Sequence, residues 1–356
     1  MTQLETLIQT LCPNGVKMVK LGEVAEVGTG RSNGNEAIET GEYPFFVRSK
    51  DVKRLDKFEF DEEAIIIPGE GGIGEIFHYI NGKYALHQRV YRIHFLTNEV
   101  NVKFAYFYMS AMFKSYIMMK AVSATVTSIR KPMIENFQIP LPPLAVQSEI
   151  VRLLDKFTLY KSELAAELAA RLQQYEYYRD QLLTFDDTVK RVKLGEVATI
   201  KNGKGYKDLG NGSIPVYGSG GIMTYVDTAA YDKPSVLIPR KGSLSNLFYL
   251  ETPFWNVDTI FYTIINNEVI IPKFLFYLLQ NMHLETLNKA GGVPSLTQEI
   301  LNRISIPLPP LSEQERIVSI LDRFDKLCND IREGLPAEID LRQKQYEHYR
   351  DKLLTF

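Results

Sequence analysis

The chain has 356 residues, of which 45% are hydrophobic and 24% are charged, and its formal net charge is −2. This composition excludes a disordered chain and leaves room for two or three domains, each with its own core. The two cysteines exclude a disulfide framework and a Cys-x-x-Cys metal site, and no apolar run is long enough to span a membrane. We therefore expect a soluble, cytoplasmic protein with no metal and no membrane partner. Because the charge is nearly balanced, any nucleic-acid contact must come from local basic clusters or from partner proteins.

Three segments of the chain occur twice, in the same order and at nearly the same spacing. They are VKLGEVAEV at 19–27 and VKLGEVATI at 192–200, IPLPPLAVQSEIVRLLDKF at 139–157 and IPLPPLSEQERIVSILDRF at 306–324, and QYEYYRDQLLTF at 174–185 and QYEHYRDKLLTF at 345–356. Self-similarity on this scale indicates a duplicated architecture: a variable domain and a constant helix, followed by a second of each. The opening MTQLETLIQTL lies in the same frame as the end of the first constant helix. We therefore predict that the N-terminus packs near the C-terminal helix.

The first half of the chain predicts a mixed α/β domain followed by a long helix. Its predicted elements are strands at Ala64–Ile67, Glu75–Tyr79 and Arg89–His94 and an amphipathic helix at Lys103–Met119. Pro142-Pro143 prevents a helix from entering earlier, so the first constant helix begins just after these prolines. From Ile150 to Leu183 the apolar residues follow three- and four-residue steps, which is typical of a coiled-coil seam.

The second half repeats this pattern. Its predicted elements are strands at Ser235–Ile238, Ser245–Leu250 and Thr259–Ile264, an amphipathic helix at Pro272–Leu287 and a second constant helix at Ile317–Leu354. Gly334-Leu335-Pro336 lies inside this last helix and predicts a kink, because glycine followed by proline stops and restarts a helix. We predict one α/β domain over residues 1–140 and another over 186–307, followed by conserved helices over 141–185 and 308–356 respectively.

The motifs of the common DNA-modifying enzymes are absent from the sequence. Gly69, Gly71 and Gly74 satisfy the spacing of a dinucleotide loop, but a strand and a turn are predicted after them instead of a helix, so we interpret them as a loop with unusual backbone angles. Neither Pro-Pro pair follows Asp or Asn, as the methyltransferase tetrapeptide requires. No proline is followed by Asp, and no phosphate-binding Gly-x-x-x-x-Gly-Lys loop occurs. The histidines lack partners at metal-ligand spacing, and we predict no catalytic residue.

Polar and basic loops remain as the candidate functional residues. Arg, Lys, Asn and Gln can donate to or accept from base edges in the major groove, and Lys, Ser and backbone N–H groups suit phosphates. The candidate DNA contacts of the first domain are Arg31, Asn33, Asn35, Arg48, Lys50, Lys53, Gln88, Arg89, Thr127, Arg130 and Lys131. Those of the second domain are Lys201, Lys204, Tyr206, Lys207, Tyr217, Ser219, Arg240, Lys241, Asn256 and Ser295. These loops differ between the two copies while the helices hardly change, which suggests a shared scaffold with two diverged recognition surfaces.

The duplicated IPLPPL block and the duplicated QYE(Y/H)YRD block resemble the two conserved regions of the specificity subunits of Type I restriction–modification systems. The resemblance covers essentially the whole chain. It implies two α/β target-recognition domains held apart by an antiparallel, coiled-coil-like pair of conserved helices, with approximate two-fold symmetry. Each domain would bind one half of a bipartite site in double-stranded DNA, and the chain itself would be non-catalytic.

The resemblance also implies partner proteins. Two methyltransferase subunits and the restriction/translocase subunits would supply catalysis, and S-adenosylmethionine, ATP and Mg²⁺ would bind to them. The conserved helices are then the candidate docking surfaces for the methyltransferase subunits. The residues expected there are Gln147, Glu149, Arg152, Tyr178, Arg179, Gln314, Arg316, Arg323, Tyr349 and Arg350.

Two other functions stay open at the level of the sequence. The chain could be a DNA methyltransferase or nuclease with an unfamiliar motif, and activity of the purified chain with S-adenosylmethionine would favour that interpretation. It could also be a protein-assembly scaffold whose variable domains bind proteins. Protection of a defined DNA duplex by the chain and its partners would separate DNA recognition from the scaffold.

Overall fold

The computed structural model describes residues 3–120, 128–287, 295–330 and 333–355. The chain divides into two compact units, one made of Met1–Leu164 with Ile339–Phe356 and the other of Ala165–Glu338. Each unit contains one α/β domain, the start of the constant helix that follows this domain, and the last part of the other constant helix. We refer to them as unit 1 and unit 2.

Unit 1 begins with a short helix and continues into a mixed α/β domain. Its elements are α1 (Gln3–Leu11), β1 (Met18–Lys20), α2 (Leu21–Val24), β2 (Ala25–Thr29), a 3-10 turn (Gly34–Glu36), β3 (Tyr43–Phe46), β4 (Lys53–Leu55), β5 (Phe60–Pro68), β6 (His78–Leu86), β7 (Val90–Phe95), α3 (Val102–Lys120), α4 (Lys131–Glu135), β8 (Gln138–Pro140) and the beginning of α5 (Leu144–Leu182). The antiparallel pair β1–β8 brings the two ends of the domain together, with Val19 opposite Ile139.

A six-stranded sheet of order β2-β7-β5-β6-β3-β4 forms the centre of this domain. Strand β5 is buried on both faces, because Ile65 and Ile67 contribute to the core that includes α3, while Ala64 and Ile66 contribute to a second core. Successive side chains of a strand point to opposite faces, so this double burial explains the uninterrupted apolar run at 64–67.

Unit 2 contains a second α/β domain, in which the central strands are divided between a four-stranded and a three-stranded sheet. Its elements are β9 (Arg191–Lys193), α6 (Leu194–Val197), β10 (Ala198–Asn202), β11 (Ile214–Gly218), β12 (Gly221–Val226), β13 (Ser235–Pro239), β14 (Phe248–Leu250), β15 (Trp255–Asn256), β16 (Ile260–Ile265), α7 (Pro272–Asn281), a 3-10 turn (Leu284–Leu287), α8 (Gln298–Asn302), β17 (Ser305–Pro307) and α9 (Leu311–Asn329). One sheet has the order β10-β16-β13-β14 and the other β12-β11-β15. The pair β9–β17 closes the domain as β1–β8 does in unit 1, with Val192 opposite Ile306.

The predicted start of the first constant helix and the predicted interruption of the second are confirmed. Helix α5 begins at Leu144, directly after Pro142-Pro143, and it has 39 residues. The second constant helix is interrupted as predicted, since α9 ends at Asn329 and the last helix, α10 (Leu335–Leu353), begins after Gly334. Of the helices in the described ranges, none is long and apolar enough to cross a membrane.

Several predicted elements have different bounds in the structure. The strand predicted at Ala64–Ile67 is longer, since β5 extends from Phe60 to Pro68, and the second constant helix begins at Leu311, before the predicted Ile317. The strand predicted at Glu75–Tyr79 is wrong over most of its length, because residues 71–74 form a glycine-rich turn and β6 begins only at His78. Similarly, the strand predicted from Ser245 begins at Phe248. Helix α7 ends at Asn281, before the predicted Leu287, and His283 follows in the left-handed region with φ of 48°.

Within each unit the two constant helices run antiparallel. In unit 1, Phe157 stacks on Tyr349 with ring centroids 5.3 Å apart, and Lys161 Nζ donates to Gln343 Oε1 at 2.6 Å. Residue numbers rise along α5 while they fall along α10. In unit 2, Tyr178 stacks on Phe324 at 5.9 Å.

The predicted packing of the N-terminus is confirmed. Leu4 of α1 is buried in the same apolar cluster as Leu354 and Ile150. The chain's first helix therefore completes the core in which the beginning of α5 and the end of α10 meet.

A buried glutamine fastens each domain to the start of its constant helix. Gln147 Nε2 donates to the carbonyl oxygens of Glu99 and Pro142 at 2.8 and 2.7 Å, and its Oε1 accepts from the Asn101 N–H at 2.8 Å. Its side chain is fully buried. The prediction that Gln147 belongs to a docking surface is therefore wrong, because all its polar atoms are used inside unit 1.

Gln314 makes the same three bonds in unit 2. Its Nε2 donates to the carbonyl oxygens of Val269 and Pro309, at 3.1 and 2.9 Å, and its Oε1 accepts from the Ile271 N–H at 2.8 Å. It is also fully buried, so its assignment to a docking surface is wrong for the same reason. Each glutamine follows a Pro-Pro pair. The carbonyl of the first proline precedes the helix and accepts from no helical N–H, so the glutamine side chain supplies its donor.

We expect Gln147→Ala and Gln314→Ala each to lower the free energy of unfolding by about 3 kcal/mol, since each leaves buried backbone groups without partners. Exposed Gln173, also on α5, supplies the control, and Gln173→Ala should change stability by less than about 0.5 kcal/mol. Urea unfolding of the full chain measures both. Equal stability of all three variants would contradict a structural role for the two buried glutamines.

Candidate nucleic-acid interface

Backbone hydrogen bonds draw five loops of unit 1 together. Gly69 N–H donates to the Arg89 carbonyl at 3.0 Å, and Ile129 N–H donates to the Gly69 carbonyl at 2.7 Å. Likewise, Gln88 N–H donates to Ser32 O at 3.1 Å, and the N–H of the intervening His87 donates to Phe46 O at 3.0 Å. We call these segments, residues 30–36, 46–53, 69–74, 87–89 and 129–131, the first loop cluster.

The corresponding loops of unit 2 are joined in the same way. Arg240 N–H donates to the Thr259 carbonyl at 2.9 Å, and Leu296 N–H donates to the Arg240 carbonyl at 2.9 Å. Val257 N–H donates to the Tyr217 carbonyl at 3.0 Å. The second loop cluster consists of residues 203–207, 217–223, 240–246, 256–259 and 295–296. Arg240 thus occupies the place that Gly69 has in the first loop cluster.

In each cluster, one glycine allows the first loop to lie against the neighbouring backbone. A Cβ atom added to Gly30 would lie 1.8 Å from the carbonyl oxygen of Leu86, and one added to Gly203 would lie 2.1 Å from that of Val257. Neither position can accept a side chain without moving backbone. The same close approach therefore occurs at the same place in both copies.

One turn has the same conformation in both clusters but carries different residues. It is Gly69-Glu70-Gly71 in unit 1 and Arg240-Lys241-Gly242 in unit 2. Gly71 has φ of 75° and Gly242 has φ of 80°, in the left-handed region that favours glycine. The interpretation of Gly69, Gly71 and Gly74 as a loop with unusual backbone angles is confirmed for Gly71 and Gly74, whose φ is 68°.

Most of the candidate DNA contacts predicted for the first domain are exposed and belong to the first loop cluster. The exposed residues are Arg31, Asn33, Asn35, Arg48, Lys50, Lys53, Gln88, Arg89, Arg130 and Lys131. Asn33 Oδ1 accepts a hydrogen bond from Gln88 Nε2 at 2.7 Å, which joins the first and fourth loops through side chains. Thr127 lies outside the described residues. Whether the exposed residues touch DNA stays a prediction.

A carboxylate lies between two arginines at the middle of the first loop cluster. Glu70 Oε2 is 3.0 Å from Arg48 Nη1, and Glu70 Oε1 is 2.9 Å from Arg89 Nη1. The hydrogen bond from Arg89 and then that from Arg48 lower the pKa of Glu70, so this carboxylate stays ionised. Glu70 is not among the contacts predicted from the sequence. Its position between two glycines of a strained turn was the available signal.

His87 lies in the same loop as Arg89 and bonds with its backbone. It is buried, and the Arg89 N–H donates to its Nδ1 at 3.0 Å. Burial lowers the pKa of His87, and the positive charges of Arg48 and Arg89 lower it further, so the ring is neutral at pH 7. His87 and Arg48 line an open cavity of about 360 Å³ that also includes Glu70, Lys53 and Val47.

The candidates of the second domain are also mostly accessible. Lys201, Lys204, Lys207 and Lys241 are exposed, and Tyr206, Tyr217, Ser219, Arg240 and Ser295 are partly exposed. Lys201 lies at the end of β10, just before the second loop cluster. Within the described ranges, the four lysines and Arg240 form no ion pair, and the Arg240 guanidinium lies 5.9 Å from the centre of the Phe261 ring. Their positive charge is therefore not neutralised by a neighbouring carboxylate.

The prediction that Asn256 contacts DNA is wrong. Its side chain is fully buried, and its Nδ2 donates to the Ile260 carbonyl at 2.8 Å. It therefore holds the loop before β16 and cannot contact DNA in this conformation. Sequence alone missed Asn246, whose Nδ2 donates to the Ser219 carbonyl at 3.2 Å, and the exposed apolar residues Ile222, Met223 and Tyr225 of β12.

The docking residues predicted on the helices have mixed exposure. Arg152, Tyr178, Arg316, Arg323 and Tyr349 are exposed, Arg179 and Arg350 are partly exposed, and Glu149 is buried. Arg152 and Arg316 form bonds of 2.7 and 2.8 Å with Glu149 and Glu313, on their own helices. Their part in binding partner subunits stays a prediction. Within the part of the chain that the structure describes, no three His, Cys, Asp or Glu side chains are grouped so that they could hold a metal ion.

Comparison with known proteins gives a consistent result. The sequence model of the family described as "Type I restriction modification DNA specificity domain" matches the chain twice, over residues 13–174 and 186–341. A putative type I restriction enzyme specificity subunit of Haemophilus influenzae is 29% identical over 360 residues, which covers 89% of each chain. The specificity subunit of the EcoR124I/EcoR124II type I restriction enzyme of Escherichia coli is 38% identical over 256 residues, covering 62% of this chain and 63% of that protein.

Two solved structures share the fold. The S subunit of a type I restriction–modification system from M. genitalium aligns with a TM-score of 0.61 over 96% of both chains, at 21% identity. The HsdS subunit of Thermoanaerobacter tengcongensis aligns with a TM-score of 0.54 over 97% of this chain and 99% of that one, at 17% identity.

Proposed function

The chain belongs to the family of Type I restriction–modification DNA specificity domains and is a non-catalytic specificity subunit, and we propose that its two loop clusters each read one half of a bipartite target in double-stranded DNA. The observation that carries this proposal is the pair of loop clusters, which share three backbone hydrogen bonds between corresponding loops but present different side chains. A shared frame fixes where side chains are presented, and the side chains decide which base edges they fit.

The two clusters offer different chemistry to DNA. The first presents Arg48 and Arg89 around Glu70, whereas the second presents Ser219 and Lys241 at the positions of Arg48 and Glu70. A guanidinium can donate two hydrogen bonds to the O6 and N7 atoms of guanine, and an ammonium acts as a compact single charge. We therefore propose that the two half-sites differ in sequence.

Affinity is proposed to depend on partner subunits. The chain has a net charge of −2, so its loops supply local positive charge but no strong overall attraction to phosphates. Two methyltransferase subunits would dock on the exposed residues of the constant helices, such as Arg152, Tyr178 and Arg323, and restriction/translocase subunits would join them. We propose that S-adenosylmethionine, ATP and Mg²⁺ bind to those partners and that the complex works in the cytoplasm, where its DNA target lies.

A genome-wide map of methyladenine tests the function directly. Cells with the gene should methylate one bipartite motif, and deletion of the gene alone should remove methylation from that motif and from no other, because the catalytic subunits remain but have no target reader. Restoring the gene on a plasmid is the control. If the motif remained methylated without the gene, the proposed function would be wrong.

Single arginine variants test whether the clusters act independently. We expect Arg48→Ala to weaken discrimination at one half-site and Arg240→Ala at the other, each by about tenfold, since a base contact contributes roughly 1–3 kcal/mol. Binding of the chain with its methyltransferase subunits is measured on duplexes altered in either half, so each variant is the control for the other. Equal losses at both half-sites would contradict two separate readers.

A further inference from the structure

Glu70 and Lys241 stand at the same position of the same turn. The residue before each donates its N–H to one neighbouring loop and accepts at its carbonyl from another, with bonds of 2.7–3.0 Å in both units. The residue after each is a glycine with positive φ, at 75° for Gly71 and 80° for Gly242. The same turn therefore places the carboxylate of Glu70 in the first loop cluster and the ammonium group of Lys241 in the second.

The oxygens of Glu70 are already occupied. Arg89 Nη1 lies 2.9 Å from Oε1 and 3.0 Å from Oε2, and Arg48 Nη1 lies 3.0 Å from Oε2. Three contacts from two guanidinium nitrogen atoms use most of the lone pairs of the two carboxylate oxygens and leave little capacity to accept from a base. The contact of Glu70 is therefore with the arginines, whose side chains remain 51% and 57% exposed.

We infer that Glu70 is a positioning residue for sequence recognition, which holds Arg48 and Arg89 as one preorganised pair for the base edges of the first half-site. This inference rests on the proposed function of the loop clusters. Two free arginines would repel each other and settle on any phosphate within reach, because long charged side chains have many rotamers. The carboxylate offsets one of the two charges and fixes both guanidinium groups, which disfavours non-specific contacts and reduces the ordering required on binding.

The second loop cluster supplies the contrast. It has Lys241 where the first has Glu70, and Ser219 where the first has Arg48. Gly242 lies beside Ser219 as Gly71 lies beside Arg48, with added Cβ atoms 3.2 Å from Ser219 Oγ and 2.9 Å from the Arg48 carbonyl. The geometry is retained while the carboxylate and its arginine are exchanged together. The effect of Glu70 is therefore confined to the half-site that the first loop cluster reads.

The test compares Glu70→Gln, Glu70→Asp and the control Glu75→Gln in the full chain with its methyltransferase subunits. Glu75 follows the same turn but bonds with Lys114, outside the cluster. Fluorescence anisotropy is measured on the target duplex, on duplexes altered in either half and on a random duplex, at salt concentrations from about 50 to 200 mM. The thermal unfolding midpoint of each variant is measured in parallel.

Glu70→Gln is expected to bind the random duplex about threefold to tenfold more tightly, with a salt slope steeper by about one phosphate contact. It should lose about tenfold in discrimination at the first half-site and nothing at the second. Glu70→Asp should recover most of this discrimination, and Glu75→Gln should match the wild type. A merely structural glutamate would instead lower the unfolding midpoint and weaken binding to every duplex alike.

The inference would be overturned if Glu70→Gln kept full discrimination at the first half-site, or lost it equally at both. The proposed function has a separate criterion in the same experiment. If the wild-type complex did not distinguish the target from the half-altered duplexes, the function itself would be wrong, whatever Glu70→Gln did.

Discussion

The architecture depends on one buried contact that occurs twice, the glutamine that follows the Pro-Pro pair at the start of each constant helix. Gln147 and Gln314 each satisfy two carbonyl oxygens and one N–H of backbone that no helix or strand pairs. A buried backbone group without a partner is costly, so the loop before the domain's helix is held at one place on the constant helix. An ion pair of 2.9 Å adds a second contact between domain and constant helix in each unit. It joins Lys103 to Asp155 in unit 1 and Lys273 to Asp322 in unit 2.

With this attachment fixed, the loops can diverge without disturbing the fold. Each loop cluster is built mainly from backbone hydrogen bonds and from glycines that admit close approach. Side chains such as Arg48, Glu70 and Lys241 can therefore change while the backbone under them stays the same. Surface substitutions away from caps, cores and strained angles usually change stability by less than about 0.5 kcal/mol. This separation between frame and surface allows one scaffold to present two different sets of side chains.

The sequence predicted most of the frame and less of the site. The repeat, the start of α5 after two prolines and the break near Gly334 follow from local chemistry, so they could be predicted from a single sequence. The sequence predicts Gln147 and Asn256 at surfaces because polar residues are usually exposed. In the structure each side chain instead bonds with buried backbone groups that only the folded chain brings near. Glu70 could not be predicted from the sequence, because a carboxylate is not expected to contact DNA. Its interest comes only from its ion pairs with Arg48 and Arg89, which the fold creates.

We propose that each domain carries its own recognition surface on an interchangeable frame, and replacing one domain by a copy of the other tests this proposal. The β1–β8 and β9–β17 pairs close the two domains in the same register, so residues 18–140 can be replaced by a copy of residues 191–307. The replaced chain is first shown to co-purify with the methyltransferase subunits, and the methyladenine map of cells that make it is then determined. We expect a methylated motif that contains the second half-site twice and the first not at all. A motif that still contained the first half-site would contradict it.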